Sequence, residues 1–422
     1  MKGTKELIIN NEELMKYFNE NSTLLEIVEK YPETIPVFTS NGFSQMDDPE
    51  QRAKFAKSIS LKMALMLKQL DLRIFTNLLI EAIEQKDTNI DATLTATTKV
   101  DDAEALNIVG LLPCPVRIPL LEQFNSFIKE YSAENDLIIN HELKAASMGL
   151  DWVENNIKGV KDAKDLPDLF ISAGFDMFFD EEMIGKFKRQ GVFEDTTKLD
   201  KFNTLFDEIN LKDPKGHYAM IGVVPAVFLI NTKELDGRDI PRSWKDIMKP
   251  EFEKRVSLPV GDFDLFNGIL LNIHKHYGDE GVKKLGRSLL ESMHPSQMVK
   301  SDRKKENKPI VTIMPYFFTK MVKEGGPMAA IWPEDGAIVS PIFMLSKKEK
   351  IEKLQPVIDF FASVEVGKIL SHSGLFPSVH PDLDNNISSE NKFMWLDWNY
   401  IYSHDISKLI KHCEKLFEDS IG

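Results

Sequence analysis

Tyr218-Ala219-Met220-Ile221-Gly222-Val223-Val224-Pro225-Ala226-Val227-Phe228-Leu229-Ile230 is the longest nearly apolar run in the chain, 13 residues that end at Asn231-Thr232-Lys233-Glu234. A membrane-spanning helix needs about 20 such residues, and this run is interrupted by Gly222 and Pro225, so no membrane span is expected. Around it lie 422 residues with 42% hydrophobic and 28% charged side chains, the balance of a globular protein with several folding units. The 52 Lys and Arg against 66 Asp and Glu leave a net charge of -14. An acidic surface repels phosphate backbones and anionic lipid, so nucleic acid is not an expected partner. The start of the chain reaches Glu12-Glu13 and the amides Asn10-Asn11 before an apolar core of export-signal length can form, which places the chain in the cytoplasm as an expectation. Cys114 and Cys413 stand far apart with no framework of partners, which argues against stabilising disulfides and against a zinc site.

Before the apolar run the chain changes character twice. Its first 86 residues read as helix. Leu24, Leu25, Ile27 and Val28 follow the capping candidates Ser22 and Thr23, and the stripe ends at Tyr31-Pro32, where proline removes a backbone donor. Phe55, Ile59, Met63, Leu67 and Leu70 recur at three- and four-residue spacing and predict a further helix. From Asp87 to about Leu106 the sequence is rich in Thr and Asp without aromatics, the composition of a connector. Beyond it, short apolar runs alternate with amphipathic segments. Ile108–Leu112 and Asp168–Ser172 predict strands, and Ile118–Tyr131 and Glu181–Arg189 predict helices. Such alternation makes an α/β domain whose ligands lodge beyond the strand ends, where loops meet helix N-termini.

Two resemblances sharpen this reading. Leu24–Glu33 and Val37–Phe43, followed by the helix pattern from Ser60 to Leu79, resemble the small helical domain associated with hybrid-cluster proteins, a redox disulfide domain. Many relatives carry a cysteine pair just after the Gly-Phe step. Here Ser44-Gln45-Met46-Asp47-Asp48 stands in that place, so the resemblance implies no thiol chemistry. Farther on, Gly222–Leu235, then Pro241–Phe252 with its Ser243-Trp244 step, Val256–Pro259, Trp332–Gly336 with Val339–Ile342, Val357–Glu365 and Gly374–Ser378 resemble, in that order, the family 1 solute-binding proteins of ABC importers. That resemblance implies a bilobal periplasmic-binding-protein type II fold with hinge strands, preceded by the all-α domain. The expected organisation is a helical domain over 1–86, a linker over 87–106, a first lobe over 107–222 with 338–422, and a second lobe over 223–337.

Ligand-wall candidates are residues at strand ends and helix starts: Pro115, Arg117, Ala173, Gly174, Gly261, Asp262, Phe263, Asp264, Pro315, Tyr316, Trp332 and Glu334. Arg117 suits bidentate pairing with a carboxylate or phosphate, or else caps a loop at the surface. Gly261-Asp262-Phe263-Asp264 predicts a helix start, where free N–H groups favour anions. One aspartate is expected to cap it, leaving the other to face an ammonium group. Iron binders of this group place two adjacent tyrosines after a second-lobe strand, whereas this chain has Tyr316-Phe317, one phenol and no second donor. Ferric coordination by that scheme is therefore not expected. The i,i+2 pair in His274-Lys275-His276 does not share a helix face, so it predicts no metal site. The Gly-rich phosphate cradles and the common hydrolase signatures are missing, so no cofactor is expected. The expected function is non-enzymatic binding of a small polar or charged solute between two lobes. The role is that of an intracellular sensor or carrier, with a protein partner for the helical domain. The alternative is a cysteine-dependent or redox-linked enzyme using Cys114, which would need a depressed thiol pKa and a base that the nearby sequence does not supply.

Overall fold

Thr23 starts the first helix because its hydroxyl accepts from the Glu26 N–H at 3.2 Å while the Glu26 carboxylate accepts from the Thr23 N–H at 2.8 Å. This reciprocal cap satisfies two donors that a helix start leaves free. In the computed structural model the chain divides into two compact units, residues 1–97 and 98–422. The residues described are 17–40, 43–46, 48–68, then 72, 75, 76, 79 and 83, followed by 105–113, 116–145, 157–260, 263–292, 301, 308–322 and 325–421.

The first unit contains α1 (Leu24–Lys30), α2 (Ile35–Ser40), α3 (Pro49–Phe55) and α4 (Leu61–Leu67). The end predicted at Tyr31-Pro32 is where α1 stops: Tyr31 donates its N–H to the Ile27 carbonyl at 2.7 Å, and Pro32 opens a short 3-10 turn. Leu24, Ile27, Phe38, Phe43, Leu61, Leu65 and Phe75 form its core, with Phe43 edge-on to both Phe38 and Phe75. The stripe predicted from Phe55 to Leu67 is out of phase. Ser60 caps a new helix by accepting from the Met63 N–H, which resets the turn count. Leu61, Ala64 and Leu65 are buried instead, and Met63 and Leu67 are 57% and 72% exposed.

The second unit is built on one sheet. Its strands are β1 (Leu106–Leu112), β2 (Ile139–Ala145), β3 (Leu169–Ala173), β4 (Ala219–Asn231), β5 (Val256–Leu258), β6 (Leu289–Ser292), β7 (Val311–Pro315), β8 (Met328–Ile331), β9 (Ala337–Ser346) and β10 (Phe393–Met394). The order is β2-β1-β3-β9-β4-β7-β5-β6, with β8 added to β4 and β10 to β9. The strands and helices predicted at 108–112, 118–131, 168–172 and 181–189 correspond to β1, α5 (Arg117–Asn135), β3, and, after α6 (Asp176–Phe179), α7 (Ile184–Arg189). The 13-residue apolar run falls within Tyr218 and β4, where all but one of the strand residues are buried. β4 is long enough to serve two neighbourhoods. Residues 219–226 pair antiparallel with β9, and residues 226–231 pair with β7 and β8. β9 in turn pairs through 342–346 with β3.

Among the described residues two large apolar cores lie along this sheet, with a smaller cluster of Val227, Leu229, Met314, Met328 and Ala337 beside them. The first gathers Phe170, Phe175, Phe187, Tyr218, Phe343 and Trp398, and the second gathers Phe228, Trp244, Ile269, Ile273, Val311 and Ile313. Trp244 belongs to α8 (Trp244–Ile247), the helix opened by the Ser-Trp step; Ser243 caps it by exchanging hydrogen bonds with Asp246. The second core is roofed by α9 (Phe263–Ser288), which breaks at Gly278, whose φ of 65° and ψ of -168° suit a residue without Cβ. α10 (Ile351–Phe361), α11 (Val364–Lys368) and α12 (Trp398–Ser403) follow, and the chain closes with α13 (Ile406–Glu418). Along α13, Ile406 and Ile410 enter the first core and Cys413 and Phe417 the second. Cys413 is fully buried, and desolvation pushes its thiol up to about 12, so it packs rather than reacts.

Candidate functional site: the interlobe cleft

β4 and β9 are the strands that cross between the lobes, and each carries a proline in the paired stretch at the crossing. Val223 faces Pro341, Val224 faces Ser340 and Pro225 faces Val339. Each proline lacks an N–H to donate, and the register slips between Met220 and Gly222. The Val223 N–H turns instead to the Pro377 carbonyl at 2.9 Å, and Gly174 donates to the Pro341 carbonyl at 3.3 Å. A ladder thinned in this way can absorb dihedral change while both cores stay packed, which is the property of a hinge. Ser340 is fully buried at the crossing, and its hydroxyl has no hydrogen-bond partner among the described residues.

The first lobe brings three segments to its edge. β1 ends at Leu112, and α5 begins at Arg117 after Val116, with no side-chain cap. Ala173 closes β3 half-buried, and Gly174 leads to Phe175, which is buried and stacks on Trp395 with centroids 5.8 Å apart. Gly374 packs so closely that a Cβ there would fall 2.3 Å from Val116 Cγ1. Residues 373–376 and the start of α5 therefore form one surface. Of the predicted wall residues, Pro115, Gly261 and Asp262 lie outside the described residues, as does Cys114. α9 starts at Phe263, followed by Asp264, so a helix does begin where the Gly-Asp-Phe-Asp step predicts one.

The second lobe contributes the end of β7. Pro315 is buried and pairs with Ala226. Tyr316 opens a 3-10 turn, Tyr316–Met321, and meets Trp332 edge-on with centroids 5.2 Å apart. Trp332 is edge-on to Phe393 at the same distance and donates its indole N–H to the Lys392 carbonyl at 2.6 Å. Tyr316 and Trp332 are thus brought together. Glu334 is placed otherwise: its N–H donates to the Arg242 carbonyl at 2.7 Å, and its exposed carboxylate lies 3.7 Å from Arg242 Nη1. The next residue explains that turn. Asp335 accepts the Trp244 N–H at 2.9 Å and the Tyr277 hydroxyl at 3.3 Å, and burial pushes its carboxyl above the usual range.

The lobes touch at groups that strand and helix patterns do not single out. Lys320 Nζ donates to the His372 and Ser373 carbonyls, each at 3.0 Å. Phe317 stacks on Phe376. On α9, a Cβ at Gly268 would lie 3.5 Å from Phe175 Cε2, so that helix lies against the first lobe as well. Among the described residues the chemistry of the edge includes backbone carbonyls, aromatic faces and Lys320. Two cavities, of about 300 Å³ between Asp195 and Gln355 and about 630 Å³ between Glu122 and Glu365, include none of the predicted wall residues.

With this geometry in view, comparisons with known proteins agree on the fold. The sequence profile of a family described as "Bacterial extracellular solute-binding protein" matches residues 164–404, and one described as "Domain of unknown function (DUF1858)" matches residues 18–75. No curated protein matches the sequence. Among solved structures, the chain is similar to the ferric binding protein from Campylobacter jejuni, at 15% identity and a TM-score of 0.51, covering 75% of this chain and 99% of that one. A Trichodesmium protein in complex with iron and citrate ligands matches at 11% identity and a TM-score of 0.51, with the same coverage. The apo ferric ion-binding protein A of Pasteurella haemolytica matches at 14% identity and a TM-score of 0.50, covering 75% of this chain and 98% of that one. At such identities the likeness is one of fold.

Proposed function

The chain belongs to the bacterial extracellular solute-binding proteins through residues 164–404, and from that premise we propose that it closes its two lobes over one small polar or charged solute without transforming it. The observation that carries this reading is the double pairing of β4, to β9 in one lobe and to β7 and β8 in the other, across a stretch weakened by Pro225 and Pro341. A solute favours closure only by the free energy with which it prefers the closed form.

For the lobes we take residues 107–222 with 338–422 and residues 223–337, with Cys413 and Phe417 of α13 reaching from the first into the core of the second. The iron named in the solved relatives is not carried over: Tyr316 is the one phenol of the Tyr316-Phe317 step, it rests on Trp332, and Phe317 stacks across the cleft. An organic solute suits such a surface better, held by backbone groups and an aromatic face, with Arg117 and Asp264 as the charged candidates at the helix starts. We place the protein inside the cell as a sensor or carrier, with the helical unit as the docking module for a protein partner. The support for that placement is the fusion of a domain resembling those of redox enzymes to the solute-binding unit.

The test is native mass spectrometry of freshly purified full-length protein, followed by a thermal-shift screen of anions, amines, vitamins and metals. A saturable ligand that also contracts the protein in small-angle X-ray scattering supports the reading. Absence of any saturable ligand across the screen defeats it, and turnover lost in Cys114→Ala would favour the thiol enzyme. Fractionation that finds the mature protein outside the cell defeats the intracellular role alone.

A further inference from the structure

Outside the cleft, His274 on α9 and Asp279 just beyond the break at Gly278 meet His412, which arrives from α13 much later in the chain. Nε2 of His274 lies 3.1 Å from Asp279 Oδ1, and Nε2 of His412 lies 3.0 Å from the same oxygen. The candidate ligand atoms of all three fall within 4.8 Å of one another. We propose that these residues form a binding site for one divalent transition cation of the zinc, cobalt and nickel class, held by the two imidazole Nε2 atoms and the Asp279 carboxylate.

The spacing is that of a ligand set. Donors bound about 2.0–2.2 Å from a common ion sit roughly 3–4 Å apart; the two His–Asp separations fall at the short end of that range, and all three donor atoms lie within 4.8 Å of one another. Reaching it requires the helix break. On an unbroken helix a residue five positions after His274 turns away from it, because neighbours on one face are three or four apart. Gly278 breaks the helix with a φ of 65° and a ψ of -168°, and Asp279 then lies within reach of the ring.

The rings are held in place from behind. The other nitrogen of His274, Nδ1, lies 3.0 Å from the Tyr400 hydroxyl. With the proton on Nδ1 this bond orients the ring and leaves the Nε2 lone pair for the ion, as outer partners of metal-bound histidines do. His412 is carried by a helix anchored through Ile410, Cys413 and Phe417, all buried. The ligand edge remains open to solvent, with the His274 side chain 20% exposed and those of Asp279 and His412 49% each. Two imidazoles and one carboxylate match zinc-class ions and not the oxygen cages of magnesium or calcium, and three protein ligands leave a position for water or a further donor. The bound ion would tie α13 to α9 at the end of the chain.

The experiment uses the full chain freed of metal by chelator and dialysis, titrated calorimetrically with Zn²⁺ and by visible absorbance with Co²⁺. One ion per chain is expected, with affinity falling about tenfold or more in His412→Ala and in Asp279→Asn, and lost in the double variant His274→Ala/His412→Ala. His380→Ala, which touches neither this cluster nor the lobe contact, should bind Zn²⁺ as wild type does, and Mg²⁺ and Ca²⁺ should give no saturable uptake. Zn²⁺ should also slow hydrogen exchange over residues 406–418. Circular dichroism checks that the exposed substitutions leave the fold intact. Undiminished binding in the double variant, a stoichiometry other than one, or no saturable uptake overturns the proposal. The site shares no residue with the cleft, so a solute screen and this titration fail or succeed independently.

Discussion

Phe317 and Phe376 stack with centroids 6.2 Å apart and planes 15° from parallel, and they come from opposite lobes. Beside them Lys320 spans the same gap to two carbonyls. The lobes of this chain are therefore held by contacts of their own as well as by any solute. An aromatic pair is worth about 0.5–1.5 kcal/mol beyond its buried area. Phe317→Ala should shift the equilibrium constant between closed and open forms by roughly two- to tenfold toward the open form and, under the proposed closure over a solute, weaken binding by up to the same factor. Fluorescence energy transfer between dyes on the two lobes measures it. An unchanged distance distribution would show that the stack does not contribute to closure.

Gly374 keeps that contact in register. A Cβ there would sit 2.3 Å from Val116 Cγ1 and 2.5 Å from Phe376 Cδ2, closer than packed atoms approach. Gly374→Ala should cost about 1–3 kcal/mol as overpacking and displace Phe376 from Phe317. Urea denaturation gives the stability change, and a variant as stable as wild type would mean that the surface relaxes freely.

Beneath the first lobe, Lys347 and Asp168 form an ion pair at 3.1 Å with both side chains 4% exposed. The ammonium also donates to the Leu166 and Lys164 carbonyls, and the other carboxylate oxygen accepts the Asn107 N–H. Lys347→Met leaves Asp168 a buried charge without its counter-ion, so a loss of about 3–5 kcal/mol is expected. Equilibrium unfolding in guanidinium checks this, and a loss below 1 kcal/mol would count against it.

Tyr402 gives the protein a dependence on alkaline pH. Burial and its 2.6 Å hydrogen bond to Asp213 hold its phenol far above the usual range. A group whose pKa is higher in the folded state contributes its full stability below the unfolded pKa, near 10 for tyrosine, and loses it as pH rises further. Unfolding midpoints should therefore fall above about pH 10, and Tyr402→Phe should flatten that fall. Identical slopes in the two proteins would assign the effect elsewhere.

Much of the architecture was legible because it rests on local chemistry. Pro32 ends α1, Ser243 opens α8, and the run through β4 is too short and too interrupted to span a membrane. What escaped depends on encounters between distant segments. Met63 and Leu67 fit a helical stripe on paper, yet the cap at Ser60 restarts the helix and turns them outward. Trp332 and Tyr316, both read as wall residues, do meet, whereas Glu334 is drawn off by Arg242. The i,i+2 spacing of His274 and His276 is silent about His412, which reaches His274 only because α13 lies along α9. Lys320 carries no pattern at all, since its partners are backbone carbonyls.

The position of β9 also sets an order for assembly. It lies between β3 and β4, both of which precede it in the chain, so a nascent polypeptide leaving the ribosome holds two half-sheets with bare edges until residue 346 emerges. Unpaired edges of that kind invite wrong partners. Chains that stall before this point should need a chaperone, while completion of a single late strand joins both halves in one step.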